Sequence, residues 1–301
     1  MLYAKNTLIA LCFFCSLSFH AASAQEEAPK PGDPGSVAFW NGDYAAALEA
    51  WQANAAAGDP EAMNNIGVLY NKGLGLDQDS KQAAAWYEKA AQLGFVNAQF
   101  NLANLYYSGR GVDHDLKQAA RWYRAAADGG HKMAQYYLAQ MYDQGDGVPE
   151  DHTEALKWYV KAADAGLGEA QYEIARMLLT GDGLKKDPYR GAQYALKAAE
   201  SGSAKGQVLM AQAYFRGTGV ERNLIEAYVW VKMALEKLPY GQDERDARKL
   251  LDKLTTEMND GQEAAAENEL KVMRPKPPED EEGTFLTDPD ATGDDATPPS
   301  E

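Results

Sequence analysis

The chain has 301 residues, with 45 acidic against 29 basic side chains and a formal net charge of −16 at pH 7. A surface of that sign argues against nucleic acid and against anionic membrane surfaces as partners. Half of the imbalance falls in residues 275–301, which carry nine acids and one lysine.

Taken in order, residues 1–24 read as a secretory leader. Lys5 supplies a positive start, Leu8 to Phe19 form a short apolar run, and Ala22-Ser23-Ala24 has the small-x-small form of a cleavage site. The run is too short for a good membrane span, so cleavage after Ala24 is expected and the mature protein is expected to be periplasmic or secreted. Cleavage removes Cys12 and Cys15, the two cysteines of the chain. The mature chain then has no disulfide, no reactive thiol and no thiolate metal site. Residues 25–35 are rich in Pro, Gly and acid and read as a flexible linker.

From residue 59 the chain repeats every 36 residues, at 59–94, 95–130, 131–166, 167–202 and, with more drift, 203–238. Gly73, Gly109, Gly145, Gly181 and Gly217 keep this spacing, as do Gly75, Gly111, Gly147, Gly183 and Gly219. So do Trp86, Trp122, Trp158, Tyr194 and Trp230. A fixed period of this size marks a repeat array. Residues 36–58 hold an N-terminal half repeat, with Asp43, Ala47, Trp51 and Gly58 in register with Asp79, Ala83, Tyr87 and Gly94; at most a short helix, Val37 to Trp40, precedes it.

Each unit contains two amphipathic segments. Ala62, Ile66, Leu69 and Tyr70 fall on one face of a first helix, which the paired glycines end. Asp79, Asp115, Asp151 and Asn223 each stand three residues before Gln or Glu. That is the spacing of a capping box, in which the first side chain accepts from a free backbone N–H and the later one reaches back. Asp187 lacks the partner, since Arg190 follows, but Pro188 suits a first turn. The second helix carries Ala83, Trp86, Tyr87, Ala90 and Ala91 on one wide face and ends at Gly94. The recurring tryptophans are therefore expected in the core. Residues 239–274 read as charged C-terminal capping helices, over 242–258 and 262–273, with Ala247, Leu250, Leu251 and Leu254 on one face. Residues 275–301 have too few apolar residues to offset ordering entropy and read as a disordered acidic tail.

The chemistry-bearing residues form no catalytic set. His114, His131 and His152 stand at different repeat positions without a cysteine, and solvated loop histidines are expected rather than a metal site. Asp77/Asp79 and Asp113/Asp115 lack the alternating acids, central glycine and distant glutamate of a helix–loop–helix calcium site, and capping explains Asp79 and Asp115 better. The G-x-G loops have no preceding strand and no Lys-Ser/Thr after them, so they are not phosphate cradles. Neither a G-x-S-x-G elbow nor a His/Cys or Ser/His/Asp set is present. No cofactor, no metal and no enzymatic activity are expected.

The strings AQFNLANLYYSGRGV (98–112) and AARWYRAAADGG (119–130) resemble the Sel-1-like repeat, a branch of the tetratricopeptide superfamily. The resemblance covers about 43–238, as five full units and a half unit. Leu238 in place of the closing glycine, and Tyr194-Ala195 in place of Trp-Tyr, depart from the pattern. It implies an all-α fold, a right-handed α-solenoid of helix-turn-helix repeats with a concave face lined by the first helices. It also implies an adaptor or regulator that holds a protein or peptide segment; exported bacterial members are associated with envelope signalling, cell-surface assembly and host contact. The tetratricopeptide arrangement would turn into the concave face Phe100, Asn104 and Tyr107; Tyr136, Gln140 and Asp143; Tyr172, Arg176 and Leu179; and Val208, Gln212 and Phe215. Amides can pair with an extended peptide backbone, and aromatics offer contact area at low entropy cost. A non-catalytic, monomeric binder of an envelope protein is therefore the leading expectation, and a binder of cell-wall glycan or a small ligand the alternative.

Overall fold

The computed structural model describes residues 32–273. The expected leader, most of the linker and the acidic segment 275–301 lie outside the described residues. Among those described there are fourteen α-helices and no strand. The fold is an all-α solenoid class of tandem helix pairs, which divides into two compact units at His114/Asp115.

The first unit contains α1 (Pro34–Trp40), α2 (Tyr44–Ala56), α3 (Pro60–Lys72), α4 (Ser80–Gln92) and α5 (Val96–Ser108), each packed on the next. Helix α1 begins at Pro34, three residues before the expected Val37, and so includes the last two residues assigned by composition to the linker. Asp33 is the reason. Its carboxylate accepts from the Ser36 amide at 2.9 Å and hydroxyl at 2.8 Å, from Trp51 Nε1 at 3.0 Å and from Asn54 Nδ2 at 3.1 Å. It both caps α1 and pins it to α2. The core of this unit joins Ala47, Trp51 and Ala55 to Ala62, Ile66 and Leu69.

The second unit contains α6 (Leu116–Asp128), α7 (Lys132–Gln144), α8 (His152–Asp164), α9 (Gly168–Thr180), α10 (Pro188–Glu200), α11 (Ala204–Arg216), α12 (Leu224–Leu235), α13 (Gln242–Glu257) and α14 (Asp260–Met273). Helices α13 and α14 both pack on α12. They cover its apolar surface with Ala247, Leu250, Leu254, Ala266 and Leu270.

The caps form as their spacing implies, with one difference. Asp79 accepts from the amides of Lys81 and Gln82, Asp151 from that of Glu154 and Asn223 from those of Ile225 and Glu226. Asp187 caps the Arg190 amide at 3.1 Å without a box partner. The reach-back half of the box is displaced: the Asp79 amide donates instead to the Tyr70 carbonyl at 2.9 Å, Asp151 to Tyr142 at 2.8 Å, Asp187 to Leu178 at 2.9 Å and Asn223 to Tyr214 at 3.1 Å. A carbonyl near the end of the first helix thus satisfies the cap and fixes the hairpin. Second helices other than α12 close with a glycine in the left-handed region. At α4, Gly94 N–H donates to the Ala91 carbonyl and Phe95 N–H to that of Ala90, which satisfies two carbonyls left over by the helix end.

The tryptophan column is only partly core. Trp158 and Trp230 are buried, but Trp86 and Trp122 are half-buried and lie beside cations, Lys89 and Arg121. The deepest aromatics are their neighbours Tyr87, Tyr123 and Tyr159, at 1–2% exposure. The next residue along the helix turns 100° further, and here that rotation places tyrosine inward between pairs of alanines.

A residue missed in the sequence joins the repeats. Gln99, Gln135, Gln171 and Gln207 recur every 36 residues. Each donates through Nε2 to a carbonyl eight residues earlier, on Ala91, Ala127, Ala163 and Ala199, at 3.2–3.4 Å. Each bond ties the first helix of one repeat to the end of the second helix before it. The repetition of Gln was visible; its partner is a backbone atom, which no side-chain pattern reveals.

Candidate functional site

The residues expected on a ligand-facing surface fall in both units. In the first, Phe100 is 5% exposed and belongs to the packed interior, a correction to its expected place on an open groove. Asn104 is half-buried and Tyr107 exposed on α5.

In the second unit the expected residues meet one another. Helix α7 contributes Tyr136, Gln140 and Asp143 at i, i+4, i+7, which is one helix face. Gln140 Nε2 donates to the Tyr136 hydroxyl at 3.0 Å. The Tyr136 ring packs against Tyr137 and against buried Tyr159 of α8. Burial, with the charges of Glu173 and Glu169 adding to it, raises the Tyr136 phenol well above its ordinary value, so it stays neutral. Tyr172 of α9 is half-buried and shifted the same way by burial.

Asp143 and Arg176 join neighbouring repeats. Arg176 Nη2 donates to Asp143 Oδ2 at 3.1 Å, Nε to Glu173 Oε2 at 2.8 Å and Nη1 to Asp182 Oδ2 at 2.8 Å. One guanidinium therefore holds three carboxylates from α7, α9 and the loop after α9. Glu173 and Asp182 were not expected here. Both lie outside the columns that repeat arithmetic selects; Glu173 reaches Arg176 through i,i+3 spacing on α9, whereas Asp182 is brought there by the loop after the helix. On α11, Gln212 is half-buried and Phe215 lies beside the Arg222 guanidinium, whose Nε donates to the Phe215 carbonyl at 2.9 Å.

Two histidines expected to be solvated are engaged. His131 caps α7, with Nδ1 accepting from the Ala134 amide at 3.1 Å. Burial pushes its imidazole down to about 4. His152 opens α8, with Nδ1 at 2.8 Å from Asp143 Oδ1 and Nε2 at 3.0 Å from Glu150 Oε1. His114 is exposed. Among the described residues no group of three or more His, Cys, Asp or Glu side chains could hold a metal ion. No helix there is long and apolar enough to cross a membrane. The arrangement combines polar groups held in fixed geometry with aromatic surface.

The Sel1 repeat pattern matches five consecutive segments, 60–95, 96–131, 132–167, 168–203 and 204–237. The chain belongs to the Sel1 repeat family. A Sel1 repeat protein from Oxalobacter formigenes has a similar crystal structure, with 32% identity and a TM-score of 0.70 over 80% of this chain and 98% of that one. A protective antigen present in uropathogenic Escherichia coli strains displays an SLR fold; it is 26% identical over 79% of this chain and 67% of that one, with a TM-score of 0.33. A putative Sel1 repeat protein from Klebsiella pneumoniae subsp. pneumoniae is 20% identical over 69% of this chain and 99% of that one, with a TM-score of 0.42. Comparison with curated proteins finds no match. Sel1 repeats belong to the tetratricopeptide-like superfamily, and this repeat fold generally mediates protein–protein interaction.

Proposed function

We propose that this Sel1 repeat protein is a non-catalytic adaptor or regulator of the cell envelope, and that it binds a protein or peptide segment on the face carrying Tyr136, Gln140, Asp143, Tyr172 and Arg176. The observation that carries this reading is the division of labour within each repeat. Positions that pack, such as Ala134, Leu138 and Ala139 or Ala170, Ile174 and Ala175, hold only glycine, alanine, leucine, isoleucine or methionine in every unit and are buried. The positions turned away from that core differ from unit to unit and combine half-buried tyrosines with amide, carboxylate and guanidinium groups. Aromatic surface beside polar groups of fixed geometry is what recognition of an extended segment uses. The envelope assignment is supported by the leader-like residues 1–24.

The test is crosslinking capture in the native envelope with the full chain as bait. A Tyr136→Ala/Tyr172→Ala variant, first checked for unchanged helicity, is the control. A protein captured by the parent chain and lost by the variant is the expected result. Equal capture by both overturns the assignment of the face. Amino-terminal sequencing of the exported protein is expected to begin at Gln25, and a retained leader would overturn the envelope reading.

A further inference from the structure

The second glycine of each G-x-G loop lies against the first residue of the second helix in the preceding repeat. Gly75 meets Tyr44, Gly111 meets Ser80, Gly147 meets Leu116, Gly183 meets His152 and Gly219 meets Pro188. Of these five contacted residues, His152 alone changes charge in the ordinary pH range. It is 25% exposed in its side chain, and its ring lies so close beneath Gly183 that a Cβ there would stand 2.1 Å from Cγ.

The ring has two carboxylate neighbours, one at each nitrogen: Asp143 of α7 at Nδ1 and Glu150, in the loop just before α8, at Nε2. A neutral imidazole carries one N–H and can donate to only one of them, while the other nitrogen presents a lone pair to an anion. Only the imidazolium donates at both. Asp182, from the loop after α9, adds a third negative charge near the ring. The positive charge nearest in this network, Arg176 of α9, is taken up by Asp143 Oδ2, Glu173 and Asp182.

We propose that His152 is a proton-operated clasp at the junction of the repeats spanning 132–167 and 168–203, closed when protonated by holding Glu150 and Asp143 together beneath the Gly183 loop. Loss of the proton leaves one of the two bonds and turns the other into a repulsive contact, so one carboxylate is released from the ring while the backbone bond from Asp151 N–H to the Tyr142 carbonyl keeps the loop on α7. The hydrogen bond to Asp143 is the largest influence raising the imidazole above its ordinary value; partial desolvation opposes it, and the charges of Asp143, Glu150 and Asp182 add to it. A raised value means that the stabilisation is complete below about pH 6.5, the unfolded value, and is lost as pH rises through the folded one. Asp143 also belongs to the face of the proposed function, but the clasp is a property of the chain alone and is tested without a partner.

The test is a proton NMR titration of the full chain, with the His152 ring signal assigned through His152→Gln. Its midpoint is expected above the value of about 6.5 of an unfolded chain, and is expected to fall in Glu150→Gln. The urea midpoint of the parent chain is also expected to exceed that of His152→Gln more at about pH 5.5 than at about pH 8, on either side of the titration. A His152 midpoint at or below the unfolded value, or one that Glu150→Gln leaves unmoved, overturns the proposal. Glu150 is largely exposed, at 61% of its side chain, so Glu150→Gln should fold; the one histidine signal whose midpoint it lowers identifies His152 even if His152→Gln fails to fold, and no lowered signal overturns the proposal.

Discussion

The carboxamide of Gln207 reaches across a repeat junction to the carbonyl of Ala199, 3.3 Å away, while Gly202 N–H already donates to the same oxygen at 3.0 Å. The glutamine therefore uses the second lone pair of a carbonyl at a helix end. Its own Oε1 has no hydrogen-bond partner among the described residues. The gain from one bond is thus set against the burial of one unsatisfied acceptor, and the two nearly cancel. Shape should matter more than the hydrogen bond. Gln207→Met is expected within about 1 kcal/mol of the parent chain, and Gln207→Ala is expected to cost about 2–3 kcal/mol through the cavity it leaves. Urea denaturation of both variants checks this; equal losses would show that the hydrogen bond dominates.

Tyr123 and Trp122 are adjacent yet differ in burial. Tyr123 is 2% exposed and Trp122 half-buried beside Arg121. Tyr123→Ala is expected to cost about 3–5 kcal/mol, as for other large aromatic truncations in cores. Trp122→Ala is expected to cost roughly 1–3 kcal/mol, in proportion to the smaller apolar area it removes from water. Thermal melts of the two variants decide, and the reverse order would show the face to be rotated by one residue.

Gly147 and Gly166 both have positive φ, at 69° and 83°. A Cβ on Gly166 meets nothing within 4 Å, whereas one on Gly147 would stand 2.3 Å from the Leu116 carbonyl oxygen. Gly166→Ala should then carry only the left-handed backbone cost of about 1–2 kcal/mol. Gly147→Ala should exceed it by on the order of 1–3 kcal/mol, because a backbone atom must move. Equal midpoints in denaturant would remove the close approach as the reason for the second glycine.

His131 has the opposite pH dependence from His152. Its folded value, about 4, lies below the unfolded one, because burial and the Lys132 charge disfavour the imidazolium. Its contribution is intact above about pH 6.5 and declines as pH falls towards 4. Protonation at Nδ1 would also remove the acceptor that caps the Ala134 amide. Between about pH 7 and 5 the parent chain is expected to lose on the order of 1–2 kcal/mol relative to His131→Asp, which supplies the kind of cap that Asp59 gives α3. A difference that does not change with pH would show that His131 stays neutral or is not buried.

The sequence by itself determined the helix pairs, their caps and the repeat register. Those features depend on side chains acting on backbone a few residues away, as Asp79 acts on Lys81 and Gln82. The resemblance to the tetratricopeptide arrangement also selected Tyr136, Gln140 and Asp143, which stand at i, i+4 and i+7 and so share one helix face. Tertiary structure alone decided the rest. Which of Trp122 and Tyr123 faces inward depends on the helix rotation that packing selects, and Phe100 is taken into the interior on the same account. The grouping of Glu150, His152 and Asp143 with Arg176 and Asp182 depends on loops and on helices of neighbouring repeats. Periodicity compares one repeat with the next, so it cannot report a contact made by residues that occupy different positions in their repeats.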